Sequence, residues 1–376
     1  MAMRIMINMA FLPDATNAEY IEVLNELILR IAKNHVDDKF FFITEEKNSG
    51  RFSLGSNIEL IKIKTRKRNS ILWKYWYDVR IPVLLRKYKA ELFISPGLFC
   101  SLTAKLPQVL VIAGLPQDDL PFLFTKTQSS FIQKRRSKTI AKVKGIICFS
   151  QTDKDKLINI DGNAAAKTTL VPPILSENNH SGIEISSTLL KEKYTEGKEF
   201  FFYHGDLAAA GNLLNLLKAF SLFKKRQQSS FKLVICGHDN QDAKEIRKLL
   251  ETYKYKTDVV LMTNPEPHAL HALFVSAYAF IFPVLLSNFA VPVLRALQSS
   301  LPVIVSSNAL LKEIAGEAAL YVDPGNAQDI ADSLMRIYKD EKLRTSLIEK
   351  GKSVIKRLRE EDAAGRFMAA LQKAVL

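Results

Sequence analysis

Three polar side chains in residues 284–297 (VLLSNFAVPVLRAL) could bind a phosphate group. The segment lies between two apolar runs, YAFIFP and LPVIVS, which predicts a loop that leads from a buried strand into a helix. A helix start and a guanidinium are both favourable phosphate ligands. The candidate groups are Ser287, Asn288, the backbone amides of Phe289, Ala290 and Val291, and Arg295. Ordinary turn chemistry and a solvent-exposed Arg295 are the alternatives, and the segment contains no carboxylate.

A second candidate segment is residues 200–220 (FFFYHGDLAAAGNLLNLLKAF). Gly205 and Asp206 follow a predicted strand, and Asn212 could cap a helix that begins at Leu213. A glycine turn before a helix N-terminus favours an anion, although an ordinary strand-to-helix connection needs the same residues. His204, at the strand end, is expected to face the ligand.

A third set of residues follows two further strands. Gly237 and His238 end the run KLVICGHDN, and Asn264 lies in the turn after DVVLMT. His268 and His271 fall in a helix that we expect on the surface. Since none of His204, His268 and His271 has a cysteine or carboxylate at metal-ligand spacing, the sequence predicts no metal site.

Strand-like runs alternate with segments of helical period along the chain, which predicts parallel sheets covered by helices on both faces. The candidates are RIMINMAFL, KFFFITEE, IELIKIK, AELFISP, QVLVIAG, GIICFS and TTLVPP, then FFFYHG, FKLVICG, DVVLMT, AYAFIFP, LPVIVSS and AALYVDP. The fold class is therefore α/β, with two Rossmann-like, doubly wound domains. Ligands of such folds bind at the carboxyl ends of the strands, so we expect a cleft there between the domains.

The domain boundaries follow from a change in polarity. Residues 176–197 are polar and form the best linker candidate, between a first domain at 1–175 and a second at 198–356. We expect the C-terminal helical region to break near Lys350–Lys352, and residues 357–376 to join the first domain.

The bulk composition favours a cytoplasmic protein. The 376 residues include only 3 cysteines, without metal-like spacing, which suits a reducing compartment. The N-terminus lacks a cleavage site for a signal peptide, and the longest apolar run, 269–286, contains His271 and Pro283. We therefore expect no transmembrane helix.

Taken in order, these segments resemble the family 4 glycosyltransferases, which have the GT-B fold. The likeness covers most of residues 199–356: the LVICG strand, the loop from Pro283 to Ala296, the run LPVIVS and the segment EIAGEAAL. SPGLFC, QVLVIAGL and GIICFSQTDKDKLI in the first half resemble the family more weakly. The resemblance implies transfer of a sugar from a nucleoside-diphosphate donor to a glycan or lipid-linked acceptor. It further implies retention of configuration, a nucleotide-sugar as substrate and no metal or other cofactor.

The charged residues of the family's donor site are replaced in this chain. The replacements are Ser287 and Arg295 for two glutamates eight positions apart, Asp206 and Gly211 for an Arg and a Lys that neutralise the diphosphate, and Ala113 and Gly114 for a His-Asp pair. The family's glycine-rich first loop is FLPDATNAEY here, without a glycine. An aspartate in place of a cation repels phosphate. Two hypotheses stay open: an enzyme with an altered donor site, and a catalytically inactive GT-B module that binds a glycan, a lipid or a partner transferase. No residue is singled out as catalytic.

The net charge of +14 is concentrated in the first half, where residues 1–175 carry +11. Residues 62–89 hold ten basic residues together with tryptophans and tyrosines, and a second basic cluster follows near residue 135. The candidate membrane or acceptor surface is Arg66, Lys67, Arg68, Trp73, Lys74, Trp76, Lys134, Arg135 and Arg136. Basic and aromatic residues mixed along a helix favour an anionic membrane, here the inner face, to which the protein would be peripheral. The alternative is that Trp73 and Trp76 are core residues; no nucleic acid is expected, because no binding motif is present.

Overall fold

Two all-parallel sheets form the framework of the computed structural model, which describes residues 2–10, 14–52, 55–64, 70–114, 126–176, 187–239, 241–287 and 290–376. The strands of the first sheet are β1 (Arg4–Asn8), β2 (Lys39–Glu45), β3 (Ile58–Ile63), β4 (Leu92–Pro96), β5 (Gln108–Ile112), β6 (Gly145–Cys148) and β7 (Thr168–Leu170). Those of the second are β8 (Phe200–His204), β9 (Lys232–Gly237), β10 (Val259–Thr263), β11 (Ala279–Phe282), β12 (Val303–Ser306) and β13 (Ala319–Val322). Every strand pair is parallel, so the predicted α/β fold with Rossmann-like sheets is confirmed.

Helices connect these strands, as parallel pairing requires. They are α1 (Asp14–Asn34), α2 (Ser70–Tyr75), α3 (Ile81–Lys87), α4 (Lys126–Lys142), α5 (Gln151–Ile160), α6 (Ser187–Thr195), α7 (Leu213–Gln227), α8 (Gln241–Glu251), α9 (Pro267–Ser276), α10 (Val291–Gln298), α11 (Ala309–Ala315), α12 (Ala327–Lys339), α13 (Glu341–Glu360) and α14 (Ala363–Val375). A π-helical turn, Trp76–Arg80, joins α2 to α3. Short 3₁₀ helices span Glu46–Arg51, Gly162–Lys167, Ala209–Gly211, Lys256–Asp258 and Gly316–Ala318.

The chain divides into two compact units. The first unit is Met1–Leu175 with Glu361–Leu376, and the second unit is Ser176–Glu360. The C-terminal helix α14 packs against α1, β5 and β6 of the first unit, where Phe367 and Leu371 are fully buried. Burial of this apolar face accounts for the return of the chain to its first sheet.

Two details of the predicted organisation were wrong. Residues 187–195 of the expected linker form α6, which packs against α9 of the second unit through the buried Leu190. The expected break at Lys350–Lys352 is absent, because α13 continues through it and Gly351 packs closely against Leu297. The helical region breaks ten residues later, where Asp362 caps α14 by accepting a hydrogen bond from the Gly365 amide at 2.8 Å.

Strand order determines where each unit can bind a ligand. The first sheet has the order β3-β2-β1-β4-β5-β6-β7 and the second has the order β10-β9-β8-β11-β12-β13. In each sheet the chain first adds two strands on one side of the unit's first strand, β1 or β8. It then adds the later strands on the other side of that first strand. This arrangement leaves a crevice at the carboxyl ends of the two central strands. In the second unit the crevice lies between β8 and β11.

Candidate functional site

The loop after β8 is folded tightly onto itself. The Tyr203 hydroxyl donates a hydrogen bond to the backbone oxygen of Asp206 at 2.6 Å, and a Cβ at Gly211 would lie 1.9 Å from that oxygen. The exposed Asp206 carboxylate accepts a hydrogen bond from the Ala208 amide at 3.0 Å. The structure thus explains Gly211 by close packing and gives Asp206 a local role in its own turn.

Asn212 has a different role from the helix cap that the sequence suggested. Its backbone is left-handed, with φ of 59°, and its side chain makes no capping bond to α7. The side-chain amide instead donates to the Pro283 and Pro324 carbonyls at 2.8 and 2.7 Å, while Asn215 donates to its oxygen at 3.0 Å. Asn212 is buried, and its hydrogen bonds connect the ends of β8, β11 and β13.

The loops after β9 and β10 meet the β8 loop at the same edge. A Cβ at Gly237 would lie 2.5 Å from Leu207 Cγ and 2.8 Å from the Gly205 oxygen, so only glycine fits there. His238 is exposed, and its Nδ1 lies 3.3 Å from the side-chain oxygen of Asn264. Gly237, Gly205, His238 and Asn264, four of the predicted residues, therefore lie together.

Arg295 on α10 brings a positive charge to this group. Burial lowers the pKa of His204 to about 3, and the nearby charges of Arg295 and His238 act in the same direction. Although part of His204 is exposed, its Nδ1 is shielded from solvent and has no hydrogen-bond partner within the described residues. The end of β8, the loop after β9 and helix α10 therefore bring together a neutral imidazole, an exposed imidazole and a guanidinium.

The loop after β11 is fixed at its start by two hydrogen bonds. The Leu285 amide donates to the Ala210 oxygen at 2.9 Å, and the Ser306 hydroxyl donates to the Val284 oxygen at 2.6 Å. Helix α10 begins at Val291, after the buried Ala290. Ser287 is half-buried, whereas Asn288 and Phe289 lie outside the described residues. Phosphate binding by these residues stays a prediction.

Comparison with known proteins places these loops within one family. Residues 188–354 match the family described as Glycosyl transferases group 1. The chain is 20% identical over 292 residues to the O-antigen chain mannosyltransferase B of Escherichia coli, covering 76% of this chain and 75% of that protein. It is 23% identical over 283 residues to the O-antigen chain mannosyltransferase RfbU of Salmonella typhimurium, covering 73% and 72%.

Solved structures share the whole fold at low identity. WaaG, a glycosyltransferase involved in lipopolysaccharide biosynthesis, has a TM-score of 0.71 at 12% identity over 98% of each chain. HepE of Anabaena, solved with UDP and glucose, has a TM-score of 0.73 at 12% identity over 98% of this chain and 99% of its own. At such identities the likeness shows the GT-B fold alone.

The chain matches the group 1 glycosyltransferases over residues 188–354, which include most of its second unit. It is therefore an enzyme of the class that uses a nucleotide-sugar donor and a glycan acceptor. This agrees with the resemblance seen in the sequence.

One histidine near Arg295 in this glycosyltransferase was not predicted as a site residue from the sequence. His271 on α9 is exposed, as the sequence predicted, and its pKa is lowered by partial desolvation and by the charge of Arg295. His271 and Arg295 are 24 positions apart in the sequence, and the order of the strands brings them close together. Spacing along the chain does not reveal this proximity. Within the described ranges, no three His, Cys, Asp or Glu side chains are close enough to share a metal ion.

The first unit of the glycosyltransferase differs from the predicted membrane surface at three residues. Trp73 and Trp76 are buried in the core, where Trp73 packs edge-on against Phe99 with ring centroids 4.7 Å apart. Arg135 is also largely buried, because it pairs with the Asp78 carboxylate. These three side chains cannot face an anionic surface. Of the other residues predicted for this surface, Lys74 and Lys134 are exposed and Arg136 is half-buried. The remaining three, Arg66, Lys67 and Arg68, lie outside the described residues.

The first unit also shows what replaces the family's His-Asp pair. Gly114 has φ of 81°, and its amide donates to the buried Asp153 carboxylate at 3.3 Å. The site at the end of β5 is thus held by a carboxylate from α5 that the motifs did not reveal. No helix in the described parts of the chain has the length and apolar character needed to cross a membrane.

Proposed function

We propose that this glycosyltransferase moves a mannosyl residue from a nucleoside-diphosphate donor to a growing or lipid-linked surface glycan. The convergence of His204, His238 and Arg295 at the switch point of the second unit carries this proposal. The mannosyl group and the glycan acceptor follow from relatives named as O-antigen chain mannosyltransferases. Retention of configuration and independence of metal ions follow from the family resemblance. We propose a cytoplasmic location, with the enzyme peripheral at the inner face of the membrane.

Arg295 is the residue that adapts the site to a donor in this proposal. Its position carries a ribose-binding glutamate in the family, so its guanidinium reverses the local charge. A guanidinium has five N–H donors in a planar fork and keeps its positive charge at any physiological pH. It can therefore supply part of the cationic field that the Asp206 and Gly211 replacements removed. His204 remains neutral beside it and can accept or donate a hydrogen bond.

Titration calorimetry with GDP, UDP and ADP, each with Mg²⁺ and with EDTA, tests the donor site. We expect one nucleotide to bind in the micromolar range without a metal ion, and Arg295→Ala to weaken binding about tenfold or more. Arg295→Glu, which restores the family's residue, should weaken binding at least as much. Arg357→Ala is the matched control, because Arg357 is an exposed arginine on α13 of the same unit.

Sugar transfer is then assayed with the mannose and glucose esters of the nucleotide that binds. Absence of binding up to millimolar nucleotide would contradict the proposal and favour the catalytically inactive module. Binding that Arg295→Ala leaves unchanged would contradict the role of Arg295 alone.

A further inference from the structure

An apolar stripe lies on the outer face of the helical segment 70–87, which consists of α2, the π turn and α3. Tyr75, Val79 and Val83 are 50%, 46% and 44% exposed, although they are large hydrophobic side chains. They recur every four residues, so they follow one face of the segment. Together they form a continuous surface feature, which we call the outer stripe.

The opposite face of the same segment explains why this stripe is outside. Trp73, Tyr77, Ile81 and Leu85 are buried and recur at the same interval of four residues. Tyr77 stacks on Phe99 with ring centroids 5.6 Å apart and an interplanar angle of 10°. The core therefore fixes the rotation of the segment and leaves the outer stripe in solvent.

The border of the outer stripe is basic. The exposed cations of the segment are Lys74, Arg80, Arg86 and Lys87. Its single acid, Asp78, is held inward by Arg135, whose two nitrogens donate to the carboxylate at 2.7 and 2.8 Å. The Leu102 amide donates to the same carboxylate at 3.0 Å. Asp78 is therefore neutralised from inside, and the outer face presents cations around apolar side chains.

We propose that the outer stripe of the first unit lies on an anionic lipid bilayer. Apolar side chains flanked by exposed cations match a surface whose headgroups are negative and whose interior is apolar. The inference deepens the proposed function, since it names the surface by which the enzyme would reach a lipid-linked acceptor. The biological reason for the contact rests on the proposed function. The contact itself can be tested independently, because bilayer binding can be measured without a sugar donor.

Flotation of the full chain with vesicles tests the contact. One set is pure phosphatidylcholine, and the other contains about one third phosphatidylglycerol. We expect binding to the anionic set alone, with a loss of about fivefold for Lys74→Gln and again for Arg80→Gln. Raised salt should weaken binding. Val79→Asn with Val83→Asn should abolish it.

Matched controls test whether the outer stripe itself makes the contact with the bilayer. Val36→Asn removes a valine that is 69% exposed elsewhere in the first unit, and it should leave flotation unchanged. Because both tryptophans are buried, vesicles should not shift their fluorescence emission. If the double variant Val79→Asn with Val83→Asn binds vesicles like the parent, the proposal is overturned. A parent that is dimeric by light scattering, becomes monomeric in that variant, and never binds vesicles also overturns it.

The two proposals fail in different ways. Nucleotide titration of the double valine variant should equal that of the parent, which also shows that the variant is folded. Vesicle binding without nucleotide binding would overturn the donor site and support the outer stripe. Nucleotide binding without vesicle binding would do the reverse.

Discussion

At the scale of the residue, the candidate site is distinguished by its charge. Sequence comparison with the family placed Arg295 and Ser287 where glutamates are expected, and the fold then placed Arg295 near His204 of β8 and His271 of α9. Burial lowers the pKa of His204 and of His271, and the guanidinium acts in the same direction, because an added positive charge raises the cost of protonating them. The site can therefore offer neutral imidazoles as hydrogen-bonding groups around one permanent cation.

His204 makes the stability of the protein depend on pH. Its pKa is about 3 in the folded chain and about 6.5 when unfolded, so between these values the unfolded state binds the extra proton. Stability is therefore complete above about pH 6.5 and falls as the pH is lowered, by at most about 1.4 kcal/mol per pH unit for this group. In His204→Phe, which keeps a ring against Phe274, we expect a smaller loss of melting temperature between pH 7 and pH 5. His268→Gln, at an exposed histidine of α9, should melt like the parent at each pH, and equal slopes for all three proteins would contradict the assignment.

At the scale of the element, the carboxyl edge of the second sheet is held together by side-chain and glycine contacts between loops. Gly237 allows the β8 loop to approach the end of β9, and Asn212 joins the ends of β11 and β13 to the start of α7. These contacts fix the shape of the candidate donor site, although several charged residues of the family's site are replaced.

Substitutions at Asn212 separate its backbone role from its hydrogen bonds. Asn212→Gly keeps a residue that tolerates positive φ and loses the two bonds to carbonyls, so we expect a loss of about 2 kcal/mol in unfolding free energy. Asn212→Ala should lose about 1 kcal/mol more, because an L side chain disfavours the left-handed region. Chemical denaturation of the second-unit transition provides the measurement. An alanine variant as stable as the glycine variant would disprove the left-handed contribution.

At the scale of the whole molecule, the chain crosses from its first unit to its second and returns. Helix α14 closes the first unit by packing on β5, β6 and α1, although some 185 residues of the second unit precede it. The first unit is therefore incomplete until the last helix is made. The outer stripe lies on this unit, and the loops of the candidate donor site lie on the other.

Phe367→Ala tests the dependence of the first unit on its last helix. Phe367 is fully buried, so its truncation should cost about 3–5 kcal/mol. Hydrogen exchange should speed up in β5 and β6, while β8 and β11 keep the protection of the parent. Val375→Ala, at a partly exposed valine of the same helix, should leave exchange unchanged. Equal acceleration in both sheets would show that the two units unfold together.

The sequence determined the local features that repeat along the chain. Strand-like runs in the sequence located all thirteen strands in the described residues, from RIMIN to ALYV, and these strands are three to seven residues long. Motif order gave the family and the fold. These features depend on residues that are close together in the sequence, so they can be recognised from the sequence alone.

Only the tertiary structure decided which face each of these elements turns inward. The same stretch of basic and aromatic residues fitted a membrane surface or a core. The structure buries both Trp73, which packs on Phe99, and Trp76 in the core. It thereby left Tyr75, Val79 and Val83 outside. The strand order likewise brought His204, His271 and Arg295 together from separate segments. Burial and electrostatic contact depend on distance in space, and distance in space is fixed by the topology of the sheets.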